Sequence, residues 1–178
     1  AKRDINNQYI LSRLIINKEV LDSISGFNND EPGKIKLRSL DLRSSEFISF
    51  KAGDVIFNKI KWQLSFLSNS TFENCTFLEN DLSSSIIEHS TFKESSFINS
   101  DFRSTIFIYV DFNKSNFEDV IMDSTTVFIF PQNYDSLALM ATSNNVIQVL
   151  NSEDLVSRLE YLKNSNINTA TTGDEISI

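Results

Sequence analysis

Few residues of this chain belong to the types that catalyse reactions or hold metal ions. The 178 residues include one histidine, His89, and one cysteine, Cys75. These single copies exclude an intrachain disulfide, a cysteine-rich zinc site and any metal site that needs two histidines. The four glycines are isolated, and the neighbouring acids Glu118 and Asp119 lack the buried, charge-coupled setting that would make one of them a general acid. The sequence therefore predicts no catalytic residue, metal site or cofactor, and a protein that is not an enzyme.

The charge of the chain limits the partners that it can bind. Lys and Arg number 16 while Asp and Glu number 24, which gives a formal net charge of −8. Residues 36–61 hold six bases and three acids, whereas residues 70–128 hold three bases and ten acids. Such an acidic chain gains no counterion release from nucleic acid or from an anionic membrane. No apolar run approaches the roughly 18 residues of a membrane span, so we expect neither direct nucleic-acid binding nor membrane insertion.

The elements that must position these residues follow a period of five. From Leu37 to Val127 every fifth residue is apolar, and ten of the 15 phenylalanines lie in this one register. A second row, two positions earlier, holds mostly small side chains and includes Cys75. A period of five matches neither an α-helix nor a flat strand. It predicts a coil that turns a corner every five residues, with corners that repeat by packing rather than by special backbone dihedrals.

Individual repeats carry a known pattern. The units SDFRS at residues 100–104 and VDFNK at residues 110–114 resemble the A-(D/N)-(L/F)-x-x repeat of pentapeptide-repeat proteins, with Ser commoner than Ala at the small inward position. The similarity covers residues 35–129. It implies an all-β solenoid, a right-handed four-sided β-helix with four repeats per coil. The nineteen repeats of this chain would make nearly five coils.

The N-terminal segment, residues 1–34, is expected to cap the solenoid. Its apolar residues at positions 5, 9, 10, 14, 21 and 24 predict an amphipathic helix over residues 5–25, followed by a turn into the first coil.

The C-terminal segment is expected to form a second cap or a dimerisation element. Within residues 130–163 the pattern predicts a short helix near residues 135–141, a short strand near 146–150 and a clearer helix over residues 153–163, with Ser152 as its N-cap. This last helix covers one end of the solenoid or mediates a homodimer. Residues 164–178 are rich in Asn, Thr and Ser and are expected to be a flexible tail.

The outer surface holds an apolar column. Positions twenty residues apart stack on one side of a four-sided coil, and Phe66, Ile86 and Ile106 share one outward position. Exposed apolar residues in one patch mark a contact surface. Either a protein partner or the chain's own terminal segments would cover it. The predicted protein-binding surface comprises Ile48, Phe66, Ile86, Ile106, Ile108 and Tyr109.

Two functions fit these features. The first is a non-enzymatic scaffold that mediates protein–protein interaction, alone or as a module of a larger bacterial effector, because some secreted effectors carry such a domain. The alternative is a DNA mimic that binds DNA gyrase, implied by a resemblance to quinolone-resistance pentapeptide proteins. The basic early coils depart from that pattern, since a mimic of duplex DNA should be acidic along its length. The expected location is the bacterial cytoplasm, or a host cell for a secreted effector.

Overall fold

The computed structural model describes residues 2–3, 9–12, 15–16 and 35–170 of the chain. The described residues up to Gln148 form one compact unit, which comprises a β-solenoid of about six turns and a short helix, and the described residues from Val149 onward form a second. The strands are β1 (Lys2–Arg3), β2 (Tyr9–Ser12), β3 (Ile15–Ile16), β4 (Ile35–Arg38), β5 (Glu46–Ile48), β6 (Lys51–Gly53), β7 (Val55–Asn58), β8 (Phe66–Ser68), β9 (Thr71–Glu73), β10 (Thr76–Leu78), β11 (Ile86–Glu88), β12 (Thr91–Lys93), β13 (Ser96–Ile98), β14 (Ile106–Ile108), β15 (Asn116–Glu118), β16 (Val127–Ile129) and β17 (Ile147–Val149). The helices are α1 (Asp135–Ser143) and α2 (Ser152–Ala170).

Four faces surround the core of the solenoid. Three are sheets, named here by strand number: the eight-stranded face (β1-β2-β5-β8-β11-β14-β16-β17), the five-stranded face (β15-β13-β10-β7-β4) and the four-stranded face (β12-β9-β6-β3). The fourth, the bridge face, is a column of isolated parallel bridges from Asp41 to Ile121. Phe77 pairs with Phe57 and with Phe97, so one coil takes twenty residues, or four repeats. The predicted four-sided solenoid is therefore confirmed.

Phenylalanine rings fill the inside of the coil in columns. Phe77 stacks between Phe57 and Phe97, with ring centroids 5.0 and 4.6 Å apart. Rings from adjoining faces meet edge to face, as Phe72 and Phe77 do at 5.4 Å, a geometry that the aromatic quadrupole favours. Each buried ring contributes roughly 1.5–3 kcal/mol of hydrophobic free energy. This core accounts for the excess of phenylalanine.

The small inward row joins each coil to the coil before it. The hydroxyl of Ser85 donates to the carbonyl of Trp62 at 2.8 Å, and the hydroxyl of Thr105 donates to the carbonyl of Leu82 at the same distance. The longer Asn80 side chain uses its amide in the same way, donating to the carbonyl of Phe57. Cys75 is buried in this row. These bonds satisfy polar groups that would otherwise be buried without a partner.

The corners depend on left-handed backbone, which corrects the prediction that packing alone would form them. In every repeat from Ser39 to Asp119 the residue two positions after the core residue has a positive φ, between 46° and 61°. Non-glycine residues enter this region at a steric cost, which is greatest for β-branched side chains. Val, Ile and Thr are accordingly missing from these described positions. Glycine is missing from them as well.

The five-residue phase slips once, in the last repeat, so the predicted core position of Val127 is wrong. Phe128 is the buried residue; it pairs with Phe107, and their rings stack at 4.6 Å. Val127 is half-buried on the outside. One extra residue in the preceding turn causes the slip. The Asp123 carboxylate holds that turn by accepting hydrogen bonds from the backbone amides of Thr125 and Thr126.

The predicted N-terminal helix is wrong wherever the structure describes residues 5–25. Strands β2 and β3 lie there instead, with Leu11 paired to Phe47 and Ile16 paired to Ala52. These two residues are five apart, as their partners are, so the strands add to the solenoid ahead of the predicted first coil. The error arose because adjacent apolar residues at positions 10–11 and 14–16 fit a helical period as well as a period of five. The remaining positions of the predicted helix lie outside the described residues.

Helix α1, expected near residues 135–141, follows the last coil. Its residues Leu137 and Ala141 are fully buried and belong to the same core cluster as Phe128. Tyr134, just before the helix, packs its ring against Phe128 at 4.8 Å, and burial raises the pKa of its hydroxyl. Helix α1 thus closes the apolar C-terminal end of the core.

Helix α2, in the second unit, differs from its predicted bounds. Its N-cap is Asn151, not Ser152, because the Asn151 side chain accepts hydrogen bonds from the backbone amides of Glu153 and Asp154. The helix continues to Ala170, so the prediction of a flexible tail is wrong over residues 164–170. The rest of that segment, residues 171–178, lies outside the described residues.

Candidate interaction surface

The predicted outward column lies on the eight-stranded face. Phe66, Ile86 and Ile106 occupy equivalent positions in β8, β11 and β14 and are paired one to the next. Val127 pairs with Ile106 and extends the column into β16. Ile86 keeps 40% of its surface exposed, and the other three are half-buried by their neighbours.

A second outward column lies two residues further along the same strands. Ile108 pairs with Ile129 in β16. In the coils that precede Ile108, the same column holds polar residues. Glu88 and Ser68 follow, and the Ser68 hydroxyl donates to the Glu88 carboxylate at 3.0 Å. These polar residues separate Ile48 from Ile108 within the second column.

A third column, of aromatic rings, runs along the corner beside the second. The ring of Tyr109 stacks between those of His89 and Phe130, with centroids 5.1 Å from each. His89 is exposed, and Tyr109 keeps 46% of its surface exposed. These residues occupy the left-handed corner position, from which side chains point away from the core.

We call the apolar members of the three columns the apolar face. It comprises Phe66, Ile86, Ile106, Ile108, Tyr109, Val127, Ile129 and Phe130. Sequence reasoning missed Val127, Ile129 and Phe130 because the phase slip lies just before them. The spacing of the corner aromatics, twenty residues and then twenty-one, was the signal that could have revealed the third column.

The apolar face is nearly free of charge, whereas the other faces carry ion pairs. Between Phe66 and Phe130 all outward residues of the eight-stranded face are described, and Glu88 is the one Asp, Glu, Lys or Arg among them. On the four-stranded face Lys93 and Lys114 bind acids of the preceding coil at 2.5 and 3.2 Å. On the five-stranded face Lys59 binds an acid of the next coil at 3.2 Å. Charge is thus segregated by face as well as along the chain.

The bridge face shows how local pairs set charge states. Arg43 donates two hydrogen bonds to the Asp41 carboxylate, and this hydrogen bonding lowers the pKa of Asp41 to about 2. Arg103 and Asp101 repeat the arrangement three coils later, and the pKa of Arg103 is raised by its bond to Asp101. Both pairs lie within one repeat on an exposed surface. They are solvated structural pairs without the buried setting of a catalytic acid.

Other chemically capable groups lie apart from one another. Cys75 is buried in the core, while His89 lies on the exposed corner column. Within the described part of the chain no three His, Cys, Asp or Glu residues come together as a metal site would require. The described helices include none that is long and apolar enough to cross a membrane.

Helix α2, taken by itself, carries exposed apolar residues. Val156, Leu159 and Tyr161 each keep more than half of their surface exposed. The Arg158 guanidinium lies over the ring of Tyr161, 5.8 Å from its centroid.

Comparison with known proteins identifies a family match for one part of the chain. Residues 86–123 match the family model for pentapeptide repeats in eight copies. Comparison with curated proteins finds no match.

Three solved structures were compared with the chain. Rfr23, a pentapeptide repeat protein from the cyanobacterium Cyanothece 51142, is 15% identical, with 68% of this chain and 85% of that chain covered and a TM-score of 0.32. QnrB1, a plasmid-mediated fluoroquinolone resistance protein, is 10% identical, with 70% of this chain and 65% of that chain covered and a TM-score of 0.29. HetL, a pentapeptide repeat protein involved in heterocyst differentiation regulation in Nostoc sp. strain PCC 7120, is 8% identical, with 66% of this chain and 81% of that chain covered and a TM-score of 0.16.

The family match covers repeats whose geometry is already evident in the fold. Within residues 86–123 the five-residue register, the inward phenylalanines and the twenty-residue coil hold without a break. Residues 86–123 of this chain therefore consist of pentapeptide repeats.

Proposed function

We propose that this protein is a non-enzymatic β-helical scaffold that binds a protein partner through the apolar face. One observation carries the proposal: apolar side chains from four successive coils lie side by side on one nearly uncharged face of an acidic molecule. Contiguous apolar patches with aromatic residues and few charges are typical of interface centres.

The rigidity of the solenoid supports this role. Each side chain of the apolar face projects from a strand that is hydrogen-bonded to coils on both sides, or from a corner next to one. Such side chains lose little conformational freedom on binding, and preorganised surfaces bind more tightly for that reason. We place the scaffold in a bacterial cell, alone or as part of a larger effector that acts in a host cell.

Self-association through α2 is a separate proposal. The exposed Val156 and Leu159 lie on one side of that helix, and each would gain hydrophobic free energy by burial. If α2 mediates a homodimer, Leu159→Glu will convert dimer to monomer in sedimentation velocity. An unchanged sedimentation coefficient would remove the proposal.

Binding to DNA gyrase is the alternative function, and the acidic later coils favour it. However, four of those ten acids are paired with bases, namely Glu73, Glu79, Glu94 and Asp101. Paired acids give a weaker negative field than the unbroken phosphate rows of DNA. A supercoiling assay with added protein tests this alternative: protection or inhibition at micromolar concentration would support it.

The scaffold proposal is tested by photo-crosslinking at matched sites. A photoreactive phenylalanine replaces Ile86 on the apolar face or, as the control, Ile121 on the bridge face, which is 51% exposed. We expect a discrete crosslinked protein from the Ile86 site in cells that produce the chain, and none from the Ile121 site. Equal patterns from both sites would contradict the proposal.

A further inference from the structure

We propose that the apolar face receives one amphipathic α-helix of the partner, with its apolar side on the face and a cationic side towards solvent. This inference rests on the proposed scaffold function and goes further by naming the partner's chemistry. It follows from the size of the face, from the spacing of its columns and from the charge of the coils around it.

The size of the face fits a helix better than a second copy of the chain. Its columns extend from β8 to β16, four coils at about 4.8 Å each, and the outward residues of one strand are about 7 Å apart. A surface of roughly 15–20 Å by roughly 10 Å falls well short of the about 800 Å² per partner that a stable dimer buries. A helix of about 10–14 residues spans that length at 1.5 Å per residue.

The distance between successive coils along a column is close to the pitch of an α-helix. Successive coils repeat every ~4.8 Å and successive helical turns every ~5.4 Å, so three or four turns stay close to register with the coils. Apolar residues at every third or fourth position of the partner would then meet Phe66, Ile86, Ile106 and Val127 in order. The stacked rings of Tyr109 and Phe130 form a wall on one side of this path.

The negative charge of the surrounding coils favours a partner helix whose solvent side is positively charged. The apolar face lies in the same coils that hold ten acids and three bases, within a chain of net charge −8. Two acids border the face itself: Glu88 lies between its columns, and Glu46 pairs with Phe66 at one end. A helix whose solvent side carries Lys or Arg gains from this negative field, and one that carries acids is repelled.

The test uses synthetic helical peptides and the full chain. The probe is a labelled peptide of about 14 residues with Leu at every third or fourth position and Lys elsewhere. Its matched controls replace each Lys with Glu, or scramble the order. The protein is compared with Ile106→Ser on the apolar face and with Ile121→Ser as the control for loss of an exposed isoleucine.

We expect the Lys peptide to bind the protein, and Ile106→Ser to weaken that binding about tenfold, as is usual for truncation of a central apolar contact. Ile121→Ser should leave the affinity unchanged. Because exposed charges are screened by salt, affinity should fall several-fold from about 0.05 M to about 0.5 M NaCl. Thermal unfolding verifies that each variant is folded. If Ile106→Ser is not folded, Tyr109→Ser at the exposed corner replaces it in the binding test.

Five outcomes would overturn the inference. Equal binding of the Glu peptide would contradict the cationic partner, and equal binding of the scrambled peptide would contradict the helix. Loss of affinity in Ile121→Ser as large as in Ile106→Ser would place the site elsewhere. A dimer dispersed by Ile106→Ser, or binding to phosphatidylcholine vesicles, would identify a different occupant. None of these removes the scaffold function, which the Ile86 crosslinking decides separately.

Discussion

At the scale of single residues, the left-handed corners set a rule for substitution. Leu64 is 65% exposed and has a φ of 61°, so its side chain contributes little packing while its backbone is strained. Asparagine tolerates this region and already occupies the equivalent corner at Asn69, Asn74 and Asn99. We expect Leu64→Asn to raise the free energy of unfolding by about 0.5–1 kcal/mol, measured by urea denaturation.

The matched control substitutes the same residue, Leu64, with a side chain of a different shape. Leu64→Val places a β-branched side chain at the same positive φ and should lower the free energy of unfolding by about 1–2 kcal/mol. If both variants changed stability in the same direction, backbone strain would not control this position.

The turn before the last strand gives a second prediction at residue scale. The carboxylate of Asp123 accepts hydrogen bonds from the hydroxyl of Thr125 and from backbone amides, and these bonds hold its pKa below the ordinary value. Asp123→Ala should lower the free energy of unfolding by about 1–2 kcal/mol, as loss of a comparable cap does.

The same carboxylate should make stability depend on pH. Because the folded-state pKa of Asp123 is lowered, its contribution is present above the unfolded-state pKa and is lost as pH falls through the folded-state pKa. Wild type should therefore lose more stability than Asp123→Asn on acidification below about pH 4. Parallel curves of unfolding free energy against pH for the two proteins would contradict this assignment.

At the scale of elements, the phase slip before β16 determines which of two adjacent residues, Val127 or Phe128, packs into the core. Phe128 is fully buried against Phe107, while Val127 is half-buried on the outer surface. Phe128→Ala should cost about 3–5 kcal/mol of unfolding free energy, as core phenylalanine truncations do, and Val127→Ala should cost less than about 1 kcal/mol. Thermal or urea unfolding of both variants distinguishes the registers, and a larger cost at Val127 would restore the unbroken five-residue phase.

At the scale of the whole solenoid, stability should vary along its length. Each coil contacts only its neighbours, so central strands are held from two sides and terminal strands from one. In the five-stranded face β10 is central and β4 and β15 lie at the edges. Hydrogen exchange should show amides of β10 protected at least tenfold more than those of β4, because terminal coils open without global unfolding. Uniform protection across the face would indicate a single cooperative unit.

Several features of the fold could be predicted from the sequence, and the errors have physical causes. The period of five identified the core from Leu37 to Met122 because one side chain in five must point inward. It failed at Val127 and Phe128 because both are apolar and hydrophobicity alone does not detect an extra residue in a turn. It failed at β2 and β3 because a short apolar pattern fits two periods. The absence of β-branched residues at the corners was present in the sequence and would have revealed the left-handed backbone.

The sequence by itself determined which side chains face the core from Leu37 to Met122, because burial of apolar area follows the five-residue period as long as the phase holds. It also indicated the candidate column of Phe66, Ile86 and Ile106, once a coil of twenty residues was assumed. Only the tertiary structure decided which outward residues lie together. The closure of each coil and the extra residue before β16 bring the ring of Phe130 onto that of Tyr109. In the second column, the pairing of coils places two polar residues, Ser68 and Glu88, between Ile48 and Ile108. Surface neighbours of this kind are set by the pairing of coils, which no local pattern specifies.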